Sequence, residues 1–592
     1  MTPQAYPSAA RSSARPADRS AAAEGWQSLH LALHTGAADT DAFVTGALAP
    51  LMDARYGRES GGAWFFIRYG EGGPHLRIRF RGPASGPVDT ARLAAELGDL
   101  AAGTAPVAGP WPVRHGEVRT VPYEPETERY GGPEALPVAE EVFVHATQAA
   151  VAALRAQPAR ADRLGQALDL AQATAAALGL DELAAAGWLR RHAASWRWVD
   201  EVRPLPGAAV HARVNSVFAA QREGLARRAR AVRAGVAQDG AAPWLAEWVR
   251  QVRAADARLR ELVPAPAPGA PERADRRLWV WASQLHMLFN RLGVAPDEER
   301  AVCRLAGRAL LEPVDGDGPS DAPAGGGFFE RSARAADYQY LERSKFRIGR
   351  GQDTAVRDIP RPPAAPDGRL VEGEVPLPAA PLPPVSLGEA LLGRRSARGV
   401  LTGPLDAAEL GGVLWHAHAP GRTSRQVTAD GTERKLRHRP YPSAGALYSV
   451  RVRLLALEVT GLPSGTYHCA PERRSLVRLG PAPEVEALKA LSSYLALPEG
   501  HSDAVGIDAA PAVLAVHLDL GLLRGRYGLR ALRLGLLEAG HLAQVLQLAA
   551  GAFGLATIPL GGLQDDLAHE LLGLDDLDEP VQYLLPLGRP AG

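Results

Sequence analysis

Between Leu311 and Leu387 the chain passes through two tracts that no packed core can take up, EPVDGDGPSDAPAGGGFF and PRPPAAPDGRLVEGEVPLPAAPLPPVSL. Proline removes a backbone donor and glycine raises the entropic cost of ordering, so such stretches serve as linkers. Residues 312–384 therefore divide the 592-residue chain into two halves. The piece between the tracts, ADYQYLERSKF, carries aromatics and charge and is expected to dock on a neighbouring domain, its start belonging with the C-terminal half. A hydrophobic content of 46% is ample for buried cores, and the length suggests three or four structural units.

Sixty-six basic and 66 acidic residues give a formal net charge of zero, so no global field attracts nucleic acid and direct nucleic-acid binding is not expected. Cys303 and Cys469 are too few for a disulfide scaffold or a Cys-rich metal site, which points to a reduced, cytoplasmic compartment. Residues 1–24, rich in Ala, Ser, Pro and Arg, lack the apolar run of a signal peptide and read as a flexible tail. Eighteen consecutive apolar residues occur nowhere, so no membrane span is expected. Neither a fixed-period repeat, an HExxH motif nor paired cysteines are present, and no metal site is predicted.

The N-terminal half, residues 25–311, opens with strand-like WQSLHLAL, followed by WFFIRY, a GEGGP turn and HLRIRF, which together read as a β-hairpin. From Pro137 the pattern turns to Ala/Leu/Arg segments of 3.6-residue period, a helical layer, so the domain is α+β. Alternation along HLRIRF sends His75, Arg77 and Arg79 to one face and Leu76, Ile78 and Phe80 to the other. An ordinary strand with a solvated basic face has the same pattern. Two further signals stand beside it: Arg129 lies among acids next to a Gly-Gly turn in YEPETERYGG, and His286 and Asn290 fall four apart on the apolar helix of QLHMLFNRLG.

These strings, in this order, resemble the glutamate-elimination domain of class I lanthipeptide dehydratases and of the split dehydratases of thiopeptide pathways. The resemblance implies removal of glutamate from a glutamylated Ser or Thr of a precursor peptide, leaving dehydroalanine or dehydrobutyrine, with Arg77, Arg79, Arg129 and His286 at the catalytic positions. Elimination removes a weakly acidic α-proton and expels a carboxylate, so it needs one group that exchanges protons near neutrality and fixed positive charge around two developing anions. Arginine forks suit the anions and His286 suits the proton. A full class I dehydratase carries a glutamylation domain ahead of this one, so the substrate is expected to arrive already glutamylated by a partner that uses glutamyl-tRNA.

The C-terminal half, residues 385–592, mixes helices with strands such as YSVRVRLLALEV, PAVLAVHLDL and QYLLPLG, again α+β. It begins with SLGEALLGRRSARGVL, where Arg394, Arg395, Ser396 and Arg398 suit a phosphate monoester, although a lone RRSAR also fits a solvated basic turn. Taken with RPYPSAGALYS, the helix from Arg530, IPLGGL and PLGRP, the segment resembles the nitroreductase superfamily, specifically its azoline dehydrogenases. That resemblance implies a homodimer formed through long helices with FMN at its interface. Arg394, Arg395, Ser396, Arg398 and Arg589 would hold the phosphate, and Pro442, Ser443, Ala444 and Gly445 with Gly561 and Gly562 would approach the ring system.

Azoline dehydrogenases commonly present a Lys-Tyr pair, where this chain has Arg526 and Tyr527. Arginine cannot act as the base, but its charge favours the phenolate, so Tyr527 is the expected acceptor of the ring proton. Glu538 and His541, three apart on one helix, are expected to pair structurally.

Both halves point to ribosomally made, post-translationally modified peptides. The architecture resembles the bifunctional elimination/dehydrogenase enzymes of lactazole-type thiopeptide biosynthesis, which implies a precursor peptide bearing glutamyl esters and thiazolines and a partner azoline-forming cyclodehydratase. Fusion would raise the effective concentration of each activity on the shared peptide. Two alternatives stay open: an N-terminal half that only docks the peptide for the dehydrogenase, and a general NAD(P)H-dependent flavin reductase or nitroreductase.

Overall fold

The computed structural model describes residues 25–82, 89–156, 160–196, 204–263, 275–312, 336–345, 374–427, 433–498 and 500–590. The tail and most of the linker fall outside them. The chain divides into two compact units, the first up to residue 205 and over 212–314 and the second over 206–211 and from 315 on, not the three or four that length alone suggests. The helical layer of the N-terminal half packs on its own sheet instead of forming a separate domain.

In the first unit β1 (Gln27–Ala32) leads into α1 (Ala37–Phe43), which continues through a π turn at Val44–Leu48 into α2 (Ala49–Tyr56). β2 (Ala63–Tyr69) and β3 (His75–Arg81) form the hairpin, followed by α3 (Thr90–Ala102) and β4 (Val118–Thr120), and the antiparallel sheet runs β2-β3-β1-β4. Leu29, Leu31, Leu76, Ile78 and Phe80 bury one face against Phe43, Met52, Leu93 and Leu97 of α1 to α3. Each such side chain contributes on the order of 1.5–3 kcal/mol. This burial fixes the register, because a one-residue slip would turn the arginines of β3 into the core.

The helices are α4 (Leu136–Ala156), α5 (Arg160–Ala177), α6 (Glu182–Ser195), α7 (Gly207–Ala237), α8 (Pro243–Leu262), α9 (Arg276–Leu292) and α10 (Pro296–Leu311). α9 starts at Asp275, whose carboxylate accepts from the amides of Arg277 and Leu278, and ends at Gly293 in the left-handed region. Its Asn290 binds the open edge of β2 twice: the side-chain amide donates to the carbonyl of Arg68 at 2.8 Å and accepts from its N–H at 2.9 Å. The partner of this half-buried Asn is thus strand backbone, and the edge of β2 is capped at Arg68.

In the second unit α11 (Ala336–Arg343) is held by Tyr340, whose hydroxyl accepts from the Arg533 amide, and by the Ser344 carbonyl, which accepts from Arg530. Next come β5 (Glu374–Pro376), α12 (Leu387–Gly393), β6 (Gly399–Thr402), α13 (Ala407–His418), the separate ribbon β7 (Arg422–Val427) and β8 (Glu433–His438), then β9 (Val450–Ala456), β10 (Gly465–Ala470) and β11 (Ser475–Gly480). α14 (Val485–Lys489), β12 (Val505–Gly506), β13 (Ala512–Leu518), α15 (Leu520–Tyr527), α16 (Ala531–Ala552), β14 (Ala556–Thr557), α17 (Asp565–Leu572) and β15 (Val581–Pro590) complete it. The main sheet runs β12-β6-β15-β13-β9-β10-β11-β5, with β14 also paired to β15.

Alternate residues of β9 and β13 face opposite layers, so both strands are buried along nearly their whole length, β9 with Arg451 and Arg453 among its apolar residues. Leu454, Leu514 and Val516 pack with Leu414 of α13 and Leu542 and Leu546 of α16. Leu455, Val513 and Ala515 pack with Leu488 of α14 and Leu567 and Leu572 of α17. Each unit is α+β, as the sequence predicts.

Candidate functional sites

In the first unit the sheet face opposite α1 to α3 carries His30 of β1 and His75, Arg77 and Arg79 of β3. It is not a solvated basic face, because Arg79 is 7% exposed. Its guanidinium carbon lies 5.1 Å from the ring centre of Tyr123 and 5.8 Å from that of Phe65. Among the described residues its Nε and Nη1 have no hydrogen-bond partner. Burial first, with Arg77 adding to it, pulls its pKa down to about 10, against the opposing effect of Tyr123, so it stays charged at neutrality. A buried cation with two idle donors is a receptor for an anion. Arg77 lies 3.3 Å over the ring of Tyr69 and donates from Nε to Nε2 of His75. His75 Nδ1 is 2.8 Å from the carbonyl of Gly73, to which it must donate, and this fixes the tautomer.

Arg129 sits on a 3-10 turn, Thr127–Tyr130, closed by Gly131 at φ 96°. Its Nη1 donates to Glu126 at 2.8 Å and its Nε to the Ser283 hydroxyl at 3.2 Å. Ser283 and His286 are three apart on α9, so this bond brings Arg129 to the helix face of the histidine. His286 Nδ1 is 2.9 Å from Glu299 of α10, and the other Glu299 oxygen is 2.6 Å from Nε2 of His192. Burial would raise the Glu299 pKa; the two imidazoles outweigh it and hold the carboxyl well below the usual range. Glu299 therefore orients His286, whose Nε2 is left without a partner among the described residues.

The four residues predicted in this half thus lie in one electrostatic neighbourhood: Arg77 and Glu126 act on Arg79, and Glu126 and Glu299 act on Arg129. Glu299, His192, Ser283 and the fully buried Arg291 escaped sequence reasoning. Arg291, pushed down to about 9 by burial, acts on the same field. Only Ser283, one turn before His286, carried a readable signal.

In the second unit Gly445 (φ 58°) sits in a 3-10 turn, and a Cβ there would lie 2.5 Å from the Tyr527 hydroxyl and 3.3 Å from Arg526 Nε. Glycine is therefore what lets the Ser443–Gly445 loop and Arg526-Tyr527 meet. Ala446 and Tyr448 also have φ near 50°, an arrangement that costs energy and clusters at functional sites. The buried Glu538 anchors the loop: it accepts from the hydroxyls of Ser443 at 2.7 Å and Ser449 at 3.2 Å and from the Val450 amide. Glu538 is structural as expected, but not through His541, which is exposed. Ser443 spends its hydroxyl on this anchor, so the loop presents backbone to a ligand. Pro442 is exposed at its start.

Arg394, Arg395, Ser396 and Arg398 follow α12 and are exposed, with Arg394 donating to Gln547 of α16 at 3.2 Å. Arg589 Nη2 pairs with Glu409 at 2.7 Å and its Nε donates to the Pro404 carbonyl. Gly561 lies beside Tyr583, and the Gly562 carbonyl accepts from Ser492. Three exposed guanidiniums, a hydroxyl and a loop in which a Cβ would intrude fit a phosphate-bearing flavin.

Residues 26–310 match the family described as lantibiotic biosynthesis dehydratase C-term, and residues 391–589 match the nitroreductase family. A protein of Methanocaldococcus jannaschii described as a nitroreductase is 29% identical over 210 residues, covering 35% of this chain and 91% of its own length. The microcin B17-processing protein McbC of Escherichia coli is 30% identical over 141 residues, 23% of this chain and about half of McbC, 49%. Among solved structures, the pyridine synthase TbtD from thiomuracin biosynthesis is 24% identical, with 49% of this chain and 98% of that one covered and a TM-score of 0.36. The tRNA-dependent lantibiotic dehydratase MibB from Microbispora sp. 107891 is 25% identical, with 50% and 29% covered and a TM-score of 0.33.

The two family matches support an enzyme built of two α+β domains. It joins a lantibiotic-dehydratase C-terminal domain to a nitroreductase-family oxidoreductase domain. No helix among the described residues is long and apolar enough to cross a membrane.

Proposed function

We propose that the chain modifies a ribosomally made thiopeptide precursor twice, eliminating glutamate from glutamylated Ser or Thr and oxidising thiazolines to thiazoles. The observation that carries the first activity is Arg79, a buried guanidinium with two idle donors in the neighbourhood of Arg129. An anionic glutamyl group satisfies those donors, and Arg77 and Arg129 extend the positive field over the enolate oxygen. His286, oriented by Glu299, is a proton carrier of the reaction. A glutamylating partner that draws on glutamyl-tRNA makes the substrate.

For the second activity, Arg394, Arg395, Ser396 and Arg398 would hold the FMN phosphate and the Ser443–Gly445 backbone the ring system, with Gly561 and Gly562 beside it. FMN bound there supplies a hydride acceptor. Tyr527 at the loop takes the azoline ring proton, with the guanidinium carbon of Arg526 5.7 Å from the tyrosine ring centre. A cyclodehydratase supplies the thiazoline. Leu387, Leu391 and Leu392 of α12 and Leu536 and Leu537 of α16 are exposed, Leu392 by 91%, and this supports a homodimer built over these helices.

A synthetic peptide bearing one O-glutamyl serine and one thiazoline, incubated with the FMN-loaded protein and followed by mass, tests both activities. Loss of glutamic acid and of two hydrogens is the expected result. Loss of the hydrogens alone would leave the first unit a docking module, and NADPH oxidation without either change would make the second unit a general reductase.

A further inference from the structure

We infer that His30 is a second proton carrier of the elimination site, the group that accepts the Cα proton of the glutamylated residue; this rests on the elimination reading above. In the sheet register His30 of β1 lies directly opposite Arg77 of β3, so both project from the face that carries Arg79. Its ring stacks on that of His75, with centres 5.3 Å apart. His75 is committed on both nitrogens, to Gly73 and to Arg77. His30 is only half-buried and makes no hydrogen bond among the described residues. It is an imidazole beside the anion-binding arginines with both nitrogens available.

The groups that face it are His75, Arg77 and Arg79 of β3 and, across β1 on the other side, Arg119 of β4, whose charge is paired with Glu117. Burial first, then Arg77, His75 and Arg79, lowers the His30 pKa to about 4, so its ring is neutral and able to accept a proton at physiological pH. When a glutamyl carboxylate docks on the arginines, part of the charge that opposes protonation is cancelled, so the base strengthens as substrate binds. His286 has the opposite surroundings, with the Glu299 carboxylate 2.9 Å from its Nδ1. Two imidazoles in opposed environments suit opposed proton duties.

In the elimination His30 accepts the proton as the Cα–H bond breaks, and that electron pair becomes the Cα=Cβ bond. The Cβ–O bond breaks with its pair on the departing glutamate carboxylate, which His286 protonates. Solvent then deprotonates His30 and reprotonates His286, and the products are the dehydroamino acid and glutamic acid.

The test uses the full chain and two peptides: the O-glutamyl serine substrate, and an analogue with an amide in place of the ester, which cannot leave. In D2O the wild-type protein should exchange the analogue's Cα proton. His30→Ala should lose that exchange and slow elimination by about 100-fold or more, the scale of general base catalysis, with both recovered by added imidazole. His286→Asn should keep exchange and lose elimination. Wild-type exchange in both His30→Ala and His30→Gln overturns the assignment. So does loss of exchange that imidazole fails to restore in a variant that still binds the analogue. A wild-type protein that neither exchanges nor eliminates overturns the elimination reading itself, a separate result.

Discussion

Glu299 is 1% exposed, and each of its oxygens meets an imidazole, His192 on one side and His286 on the other. A buried carboxylate shared by two histidines fixes ring orientation in the way the acid of a catalytic triad does, without touching substrate. Glu299→Gln keeps the shape and removes the charge, so the elimination kcat should fall on the order of 100-fold while KM changes little. Thiazoline oxidation by the same sample should be unaffected, which separates lost orientation from lost folding. An unchanged elimination rate would mean that Glu299 merely fills its place between two helices. The sequence exposed His286 because a His and an Asn four apart interrupt an apolar helical face. It could not expose Glu299 or His192, which lie on other helices and are identified only by the packing of α6, α9 and α10. His30 was equally hidden, since one histidine in an alternating strand is indistinguishable from a solvated position.

At the scale of elements, the 3-10 turn after Ser443 is set by what touches it. Gly445→Ala would force a Cβ against the Tyr527 hydroxyl in a left-handed backbone conformation, a cost of about 1–3 kcal/mol. Flavin retention, read by absorbance after gel filtration, should drop together with oxidation, while elimination continues. β9 and β13 were legible as β-branched strand segments, and the loop glycine was legible as a glycine. The Glu538 anchor was not, because its partners lie about 90 residues upstream on β9 and the preceding loop rather than one turn along α16. α13 carries a further consequence in His418, which is fully buried, bonded to the Tyr441 hydroxyl at 3.0 Å and held well below its ordinary pKa by burial and then by Arg439. The unfolded chain therefore takes up a proton below about pH 6.5 that the native unit refuses, so stability present above that pH is lost as the pH falls. The slope is at most about 1.4 kcal/mol per pH unit for this site. His418→Phe should flatten the fall of the melting temperature of the second unit between pH 6.5 and 5, and an unchanged slope would show that His418 is protonated in the native state.

At the scale of the whole molecule, the Pro/Gly tracts predicted two different α+β units from sequence alone, because composition decides where a core cannot form. What composition could not reveal is that α12 buries none of its residues, leaving Leu387, Leu391 and Leu392 exposed immediately before the RRSAR cluster. An amphipathic helix with its leucines in solvent costs free energy unless a second copy covers them, and that copy would then also shape the phosphate site that follows. Leu392→Glu combined with Leu537→Glu places charges on both exposed helices and should shift the proposed dimer to a monomer in sedimentation. FMN binding and thiazoline oxidation should fall with the dimer, whereas elimination, whose residues all lie in the first unit, should persist near the wild-type rate. A monomer that retains flavin and oxidises normally would separate the exposed leucines from the active site, and a variant that remains dimeric would put the subunit contact elsewhere on the molecule.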